Sequence, residues 1–418
     1  MSDLLSHIRF EPEAQLLDTL FDRFGLDEIL DHFIEAGGAG PHYELVLSTQ
    51  LRLTPLLAPR LVPLMAEVRE RLEFAEPIDL FVQPDAEINA FALHTVHEGD
   101  PHAISLTSGL VKAMSDDELR FVLGHELGHL AYRHYRARLL DVAVGEEPTG
   151  ESRLPALLRR RLGSWDRLAE LSADRAGFAA AEGRLEPIVS AFFKMASGLG
   201  PEHLRFDIEA FLGQLEALQK MKRKEMLASF SHPVTPVRVR ALQLFGEADG
   251  IHLEDLHAVD TSVGEVARLM EFEASEPLDV NARDLLLSGG LLAAHADGNP
   301  VTQDQSELLI HLLLPLCANP EAEVQAIHSA EEARARFEVA AGWFRENAGE
   351  ERFGIYRQLC HIVGVDGHLP EGEKDFMREV AEALEIPKKA ADEILYEVLS
   401  GYLQARAAQR RPSFGFDS

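Results

Sequence analysis

The sequence predicts an α+β protein: a mainly helical domain with a small sheet, followed by an all-α helical domain. Apolar residues recur with helical spacing over most of the chain, and three short alternating or apolar segments between residues 79 and 107 predict strands. In the last third, a repeated segment lies among helical patterns alone. A chain of 418 residues is too long for one ordinary core, so two domains are expected.

The part of the chain before residue 108 supplies an N-terminal helical unit and then the sheet. Residues 1–50 are predicted to form an N-terminal helical segment, because apolar positions recur there at helical spacing. A helix is expected over Leu61–Phe74, followed by strands over Asp79–Val82, Ile88–Val96 and Ala103–Thr107. The predicted sheet therefore comes immediately before the segment that carries the clearest chemical motif.

That motif is His125-Glu126-Leu-Gly-His129, within the stretch Leu119 to Tyr135, which is expected to be helical. Histidines four positions apart share one helix face and can reach one divalent cation, for which zinc is the usual occupant. Glu126 can then hold a metal-bound water and accept its proton. The alternative is a buried helix whose histidines bond only to the backbone.

Two residues near the motif sharpen this interpretation. Ser115 and Glu118 form a capping box, which predicts that the helix begins there. His134 lies nine residues after His125, roughly 180° around a continuous helix, so a structural or supporting role is expected for it.

A third protein ligand is required, because catalytic zinc keeps three protein ligands and one water. The helical stretch Asp166–Ala180 contains Glu170 and Asp174, which lie four positions apart and share one face. Glu170 is expected to bind the metal, and Asp174 to orient a histidine through its ring N–H. The alternative is a solvated acidic stripe.

The small sheet suggests how a substrate is held. Zinc peptidases hold the substrate backbone in an extended form by adding it to an edge strand. The residues expected to bind substrate in this way are Asn89, Ala90, Phe91 and Ala92. The alternative is that they form an interior strand.

Composition limits the partners and the location. The formal net charge of −30 argues against nucleic acid and against anionic membrane surfaces. Cys317 and Cys360 lie in apolar helical patterns, as packing residues of a reducing compartment do. The first residues lack a basic segment leading into an apolar one, and the run Leu308–Ala318 is too short to span a bilayer. A soluble, cytoplasmic protein without a membrane span is expected.

The motifs together resemble a known family. His125-Glu-Leu-Gly-His129 followed by Glu170-Leu-Ser-Ala-Asp174 resembles the HExxH…ExxxAD pattern of family forty-eight of the metallopeptidases, the gluzincin family of the CAAX-prenyl endopeptidase and HtpX. Further segments that resemble the family are Asn89–Ala92, Leu106–Leu110 with Asp117–Leu119, and Ser231–Arg238. Membrane-embedded members carry long apolar helices that this chain lacks. The chain therefore resembles the soluble branch, and a prenylated substrate does not carry over.

This resemblance implies a zincin-type peptidase domain over residues 51–247. The implied ligands of one zinc ion per chain are His125, His129 and Glu170. Glu126 is implied as the general base. His232 is expected to donate a hydrogen bond to the oxyanion, and Arg238 to play a positioning or structural role. The alternative for His232 is that it merely flanks a helix that begins at Pro233.

The C-terminal part contains an internal repeat after a predicted linker at 248–280. Leu291 to Asp304, with Asp297-Gly298, aligns without gaps to Cys360 to Glu373, with Asp366-Gly367. An EF-hand is rejected, because the loop lacks glycine at position six and alternating ligands. The repeat resembles the tellurite-resistance TerB-type helical domain, over residues 281–405.

The acidic residues of this repeat have two interpretations. The resemblance implies a metal or partner site at the paired acids. The alternative is that each aspartate caps the following helix. The tail, residues 406–418, is expected to be disordered.

The predicted function is that of a soluble zinc-dependent endopeptidase acting on polypeptides, in protein quality control or stress response. The C-terminal domain is expected to gate the cleft or to recruit a partner, and a homo-oligomer is allowed for. The alternative is a non-catalytic polypeptide-binding scaffold or chaperone-like stress protein. The intact Glu126 argues against this alternative, since a cleft that only binds has no need of a general base.

Overall fold

The computed structural model describes residues 1–18, 20–21, 26–36, 42–95, 100–145, 154, 156–220, 234–270, 276–317 and 319–409. The contacts within the chain divide it into two compact units. The first comprises Met1–Leu154 and Leu162–Met270, and the second comprises Pro155–Arg161 and Glu271–Ser418. Among the described residues, no helix combines the length and the apolar character that a membrane span requires.

The first unit combines helices with one small sheet. Its helices are α1 (Asp3–Ile8), α2 (Glu11–Asp18), α3 (Leu26–Glu35), α4 (His42–Thr49), α5 (Leu61–Arg71), α6 (Ser108–Ala113), α7 (Asp116–Ala131), α8 (Tyr135–Val144), α9 (Ala156–Ala180), α10 (Leu185–Ser197), α11 (Ile208–Gln219), α12 (Thr235–Glu247) and α13 (His257–Ala267). Its strands are β1 (Leu51–Arg52), β2 (Ile78–Gln83), β3 (Ala90–Leu93) and β4 (His102–Thr107). The first turn of α9 belongs by its contacts to the second unit.

The four strands form one mixed sheet in the order β1-β2-β4-β3. β2 and β4 are parallel, whereas β1 pairs antiparallel with β2 and β3 pairs antiparallel with β4. β3 therefore lies at an edge of the sheet among the described strands. All six residues of β4 are buried, as expected for an interior strand.

Helix α7 is the central helix of this unit. The predicted capping box is present: the Ser115 hydroxyl accepts from the Glu118 N–H, and the Ser115 N–H donates to Glu118 Oε2 at 2.7 Å. The helix ends at Ala131 instead of reaching Tyr135, because Arg133 has a left-handed φ of 58° that reverses the chain direction. The position calculated for His134 on a continuous helix therefore does not apply.

Helices α7 and α9 approach each other through small residues. A Cβ added at Gly128 would lie 2.9 Å from both Ala173 Cα and Ala176 Cβ, and one added at Gly124 would collide with Ala180. Only glycine permits this approach, because any side chain on α7 at these positions would push the helices apart. The packing of these two helices brings the two parts of the predicted metal site together.

Two segments that the sequence predicted to lie outside the peptidase domain contribute to its core. In the N-terminal segment, Leu5, Ile8 and Phe10 are buried in the main apolar cluster of the first unit. Within the expected linker at 248–280, α13 buries Val259, Val263 and Ala267 in the same cluster. The spacing of these three apolar residues forms one helix face, whereas the glycines and acids that indicated a boundary lie mainly before α13.

The described residues of the second unit form helices joined by turns and short loops, with no strand among them. Besides the first turn of α9, its helices are α14 (Pro277–Ala294), α15 (Gln303–Leu313), α16 (Pro320–Gln325), α17 (Ala330–Asn347), α18 (Glu351–Gly364), α19 (Glu371–Ala383) and α20 (Lys388–Gln409). Helix α14 packs against α15, α17, α18 and α19. Cys317 and Cys360 are both buried, and neither forms a disulfide with another described residue. Helix α20 continues into the predicted tail as far as Gln409, and residues 410–418 lie outside the described part.

The gap-free alignment of the internal repeat is wrong by one residue after its Asp-Gly pair. Gln305 and Glu373 each occupy the third position of their helices, and Gln305 Nε2 donates to Glu373 Oε1 at 3.0 Å. Asp304, which the alignment equated with Glu373, is exposed. The reason is that the turn from Asp297 to the cap residue Thr302 is one residue longer than the turn from Asp366 to Pro370.

The two aspartates of the repeat stabilise their own turns. Asp297 Oδ1 accepts from the Asn299 N–H at 2.9 Å, and Asp366 Oδ1 accepts from the His368 N–H at 2.9 Å. These are Asx-type turn bonds, two residues forward. Neither aspartate is the N-cap of the following helix, so the helix-capping alternative is wrong in its detail.

Candidate metal centre and cleft

Three side chains from two helices converge at one point. His125 and His129 lie on α7, and Glu170 lies on α9. His125 Nε2 is 3.0 Å from His129 Nε2 and 3.5 Å from Glu170 Oε2, and His129 Nε2 is 3.3 Å from Glu170 Oε1. Ligand atoms held tetrahedrally at zinc bond lengths lie about 3.3 Å apart. The donor set therefore fits a zinc ion, and among the described residues it is the only such group of three.

Asp174 and Arg238 support this group from behind. Asp174 Oδ1 is 3.0 Å from His125 Nδ1, on the ring edge opposite the converging Nε2 atom. Arg238, on α12, donates to both carboxylate oxygens of Asp174, at 2.8 and 2.5 Å, and its Nη1 is 3.4 Å from Glu170 Oε2. The structure thus places Asp174 in contact with the candidate ligand His125, and Arg238 in contact with the candidate ligand Glu170.

The charges in this region favour ionised carboxylates. Burial raises the pKa of Glu170, but Arg238 and His129 outweigh it and hold that pKa well below its usual range. Burial likewise raises the pKa of Asp174, and Arg238 and His125 lower it overall. Glu170 and Asp174 together carry one negative charge more than the Arg238 guanidinium neutralises, which favours a cation beside them.

The protonation of His129 depends on the same carboxylate. Burial lowers the pKa of His129, but the adjacent Glu170 raises it overall. A proton on His129 and a metal ion on its Nε2 compete for the same lone pair. A positive charge beside Glu170 is therefore favoured in either state, whether it is carried by a proton on His129 or by a metal ion.

A cleft of about 620 Å³ opens in front of these residues. Glu126 lines it together with His125, His129 and Glu170, and only 7% of the Glu126 surface is exposed. All four residues predicted to bind substrate also line it, with Asn89 immediately before β3 and the other three within it. The cleft thus joins the metal ligands to the edge strand.

The register of β3 shows which backbone groups face away from the sheet. The Thr107 N–H donates to the Asn89 carbonyl, and the Asn89 N–H donates to Thr107 Oγ1, so Asn89 faces β4. In an antiparallel pair, bonded and non-bonded positions alternate. The backbone groups of Ala90 and Ala92 therefore point away from β4, to the free edge among the described strands. The Ala90 N–H donates there to Asn89 Oδ1 at 2.9 Å, which leaves the two carbonyls and the Ala92 N–H at this edge.

Several cleft residues were missed by the sequence analysis. Tyr43 and Glu44 of α4 and Arg138 of α8 line the cleft, as does Asp166 of α9. Burial and the nearby Glu170 raise the pKa of Asp166 to about 7. Asp166 lies four positions before Glu170, so the helical spacing that identified Asp174 would also have identified it. Residues of α4 and α8 carry no comparable local signal.

Two further histidines that the sequence analysis considered are His134 and His232. His134, after the end of α7, lies with its Nδ1 atom 2.8 Å from His129 Nδ1. His232, the residue expected to contact the oxyanion, lies outside the described residues, within the segment 221–233. Its role stays a prediction of the sequence.

Comparison with known proteins gives a family match in each part of the chain. Residues 57–149 match the model of peptidase family M48, and residues 283–395 match the model of tellurite resistance protein TerB. The first match contains His125, Glu126 and His129 but ends before Glu170. No solved structure is significantly similar to the chain.

Among curated proteins, the chain is 29% identical over 191 residues to the plastoglobule-localized metallopeptidase 48, chloroplastic, of Arabidopsis thaliana, covering 43% of this chain and 54% of that protein. It is 33% identical over 88 residues to a protease HtpX homolog of Sulfurihydrogenibium sp., covering 21% of this chain and 29% of the relative. A protease HtpX homolog of Streptococcus equi subsp. zooepidemicus is 38% identical over 65 residues, covering 16% of this chain and 20% of the relative.

The chain therefore spans about half the length of the plant relative, and less of the bacterial ones. The matched regions nevertheless agree with the motifs: the HExxH helix lies inside the first match, and both copies of the helical repeat lie inside the second. The chain carries a domain of peptidase family M48 followed by a TerB domain.

Proposed function

We propose that this protein is a zinc-dependent endopeptidase that uses Glu126 as its general base. The observation that carries the proposal is the convergence of His125, His129 and Glu170 beside Glu126, in a cleft bordered by an edge strand. A zinc ion bound there supplies Lewis-acid activation of the scissile carbonyl.

The protein groups have separate roles in this proposal. Glu126 accepts the proton of the attacking water and passes it to the leaving amine. Asp174 keeps His125 Nδ1 protonated as a donor, so that the Nε2 lone pair of His125 faces the metal position. Arg238 keeps Asp174 and Glu170 ionised.

The substrate of this proposal is an extended polypeptide. The outward carbonyls of Ala90 and Ala92 and the Ala92 N–H offer hydrogen bonds to a strand added at the edge of β3, whereas the Ala90 N–H is bonded to Asn89 Oδ1. Because backbone groups carry no side-chain identity, this mode of binding accepts many sequences, as a quality-control or stress peptidase requires. His232 is the proposed donor to the oxyanion.

The test is a comparison of metal content and cleavage. Wild-type protein should contain one zinc per chain and cleave an unfolded protein, and chelation should abolish cleavage. Glu126→Gln should retain zinc but lose about 10²–10⁴-fold in turnover, because an amide cannot accept the proton. Glu70→Gln, the same chemical change at an exposed position of α5, is the control and should cleave normally.

Normal turnover by Glu126→Gln would contradict the mechanism. Wild-type protein that binds an unfolded polypeptide without cutting it, even with zinc bound, would favour the alternative of a polypeptide-binding scaffold. A cytoplasmic location and self-association stay predictions of the sequence.

We further propose that the TerB domain restricts access to the cleft. The structure indicates where the test must cut the chain. A chain ending near Asp249 would lose Asp260, the buried partner of Arg175 at 2.6 Å, so the shortened chain should end after Met270.

If a closed state is favoured by about 3 kcal/mol, removal of the TerB domain should raise the cleavage rate roughly a hundredfold. A folded shortened chain that is no faster would indicate recruitment or stabilisation instead, with circular dichroism reporting folding.

A further inference from the structure

The metal ligand His129 has a neighbour on the ring edge that faces away from the other ligands. His134 Nδ1 lies 2.8 Å from His129 Nδ1, and the side chain of His134 is only 5% exposed. Two imidazole nitrogens at this distance require one N–H donor and one lone-pair acceptor. The contact therefore fixes the tautomer of one ring relative to the other.

Behind His134 lies a buried carboxylate from the N-terminal segment. Glu13, on α2, is 0% exposed, and its Oε1 atom is 3.6 Å from His134 Nε2. Arg9 donates to both oxygens of Glu13, at 2.7 and 2.9 Å. Although burial raises the pKa of Glu13, His134 and Arg9 lower it to about 2, so the carboxylate is ionised and accepts hydrogen bonds only.

These contacts specify one arrangement of protons when a metal is bound by His129 Nε2. The Nδ1 atom of His129 then carries a hydrogen and donates to His134 Nδ1. His134 is left with its hydrogen on Nε2, the atom that faces Glu13. The 3.6 Å separation is longer than a hydrogen bond, and a small approach of His134 to Glu13 closes it.

Glu13 also contacts the helix that carries the third ligand. The Trp165 indole N–H donates to Glu13 Oε1 at 2.9 Å, and the Ser172 hydroxyl donates to Glu13 Oε2 at 3.0 Å. Both residues belong to α9, as does Glu170. Glu13 is thus joined directly to α9, and through His134 to His129 at the end of α7.

We propose that Glu13 and His134 are positioning residues of the metal centre, so that the N-terminal segment, outside the region matched to the peptidase family, completes the metal site. They hold His129 in the tautomer and orientation that present Nε2 to the metal. This inference rests on the proposed function, because it assumes that His129 binds a metal.

The experiment measures metal binding directly in the full-length protein. Zinc affinity is determined by competition with a chromophoric chelator, and the visible spectrum of the cobalt(II)-substituted protein reports the geometry of the ligands. Loss of a residue that orients a ligand typically weakens metal binding 10–100-fold. Glu13→Gln and His134→Phe should therefore weaken zinc binding by that factor and shift the cobalt bands.

Two controls separate positioning from stability. Glu11→Gln makes the same chemical change at an exposed position of α2 and should leave zinc affinity and the cobalt spectrum unchanged. Ser172→Ala removes one hydrogen bond to Glu13 but keeps the contact between His134 and His129. It should lower the unfolding temperature without changing the cobalt spectrum.

His134→Phe decides the question if Glu13→Gln does not fold, since it keeps the contacts of Glu13 with Arg9, Trp165 and Ser172. A folded His134→Phe protein with wild-type zinc affinity and an unchanged cobalt spectrum would overturn the proposal. Weakened binding with shifted bands would support it. Failure of the wild-type protein itself to bind zinc would overturn both this inference and the peptidase function, and is thus distinguishable from a failure of positioning alone.

Discussion

Two buried glutamates, one in each unit, have pKa values that shift in opposite directions. In the first unit, Glu170 lies beside Arg238 and His129, which outweigh burial and hold its pKa well below the usual range. In the second unit, Glu373 is 2% exposed and accepts a hydrogen bond from Gln305. Burial raises the pKa of Glu373 to about 7, and the nearby Asp366 and Asp297 contribute to that rise.

This difference shows that burial of an acid does not by itself indicate a metal site. Burial raises the pKa of both carboxyls, and their neighbours decide the outcome. The first unit keeps its carboxylates negative and arranged around two imidazoles, which suits a cation. The second raises the pKa of Glu373 to about 7 at a helix contact, so the carboxyl holds a proton below that pH, which suits packing. The metal or partner site implied by the TerB resemblance stays a prediction.

The largest expected effect comes from replacing Arg238, whose guanidinium lies between the two buried carboxylates of the candidate metal site. Arg238→Met leaves Glu170 and Asp174 as buried carboxylates without their guanidinium, which should cost about 3–5 kcal/mol in the free energy of unfolding of the metal-free protein. Added zinc should restore part of that loss, because a divalent cation replaces the missing positive charge. Chemical unfolding with and without zinc measures both effects.

Arg240→Met, on the same helix, is the matched control, since Arg240 donates to Gln243 instead of a buried carboxylate. A metal-free Arg238→Met protein as stable as the Arg240→Met protein would show that Arg238 does not compensate these acids. The contrast between the two units would then need another cause.

The second prediction separates the two carboxylates of α9. Glu170→Ala should lower zinc affinity by more than about a hundredfold, because it removes a ligand atom, whereas Asp174→Ala should lower it 10–100-fold, because it only releases His125. Isothermal titration or chelator competition provides the comparison. Equal losses in the two variants would remove the distinction between ligand and orienting residue.

The smallest effect concerns Glu373 and depends on pH. Its folded-state pKa of about 7 lies above the ordinary value of 4.5, so the folded state binds the proton more tightly than the unfolded state. Its contribution to stability is complete below pH 4.5 and is lost as the pH rises through 7. Glu373→Gln keeps the acceptor for Gln305 and removes the charge, so it should stabilise the second unit by about 1–3 kcal/mol at pH 8 and little at pH 4.

Unfolding curves at the two pH values test this, and Asp304→Asn is the control. The gap-free alignment equated Asp304 with Glu373, yet Asp304 is exposed and should show no such dependence. If Glu373→Gln retained the pH dependence of the wild type, the proton would not reside on Glu373. The contrast between the pKa of Glu373 and that of Glu170 would then not hold.

Much of the candidate site could be predicted because its spacing is local. His125 and His129 share a face of α7, and Glu170 and Asp174 share a face of α9, as helix geometry requires of positions four apart. The capping box at Ser115 marked the start of α7 within one residue. The predicted strands also lie within the observed sheet, although in the described part of Ile88–Val96 only Ala90–Leu93 forms a strand, β3.

Other features had no local signal. The end of α7 depends on a left-handed Arg133, with neither glycine nor proline to indicate it. The role of α13 in the first core depends on Asp260 meeting Arg175, 85 positions earlier in the chain. The equivalence of Gln305 and Glu373 became visible only when their side chains were seen in contact.

The sequence by itself determined the chemistry of the site: an HExxH helix, a later helix with paired acids and an adjacent strand. The tertiary structure decided that these parts meet. Gly124 and Gly128 bring α7 against α9 closely enough for Glu170 to reach both histidines. Glu13, on the N-terminal helix α2, lies beside His134. The physical reason is that helix geometry sets distances between neighbours in sequence, whereas distances between remote segments depend on how their side chains pack together.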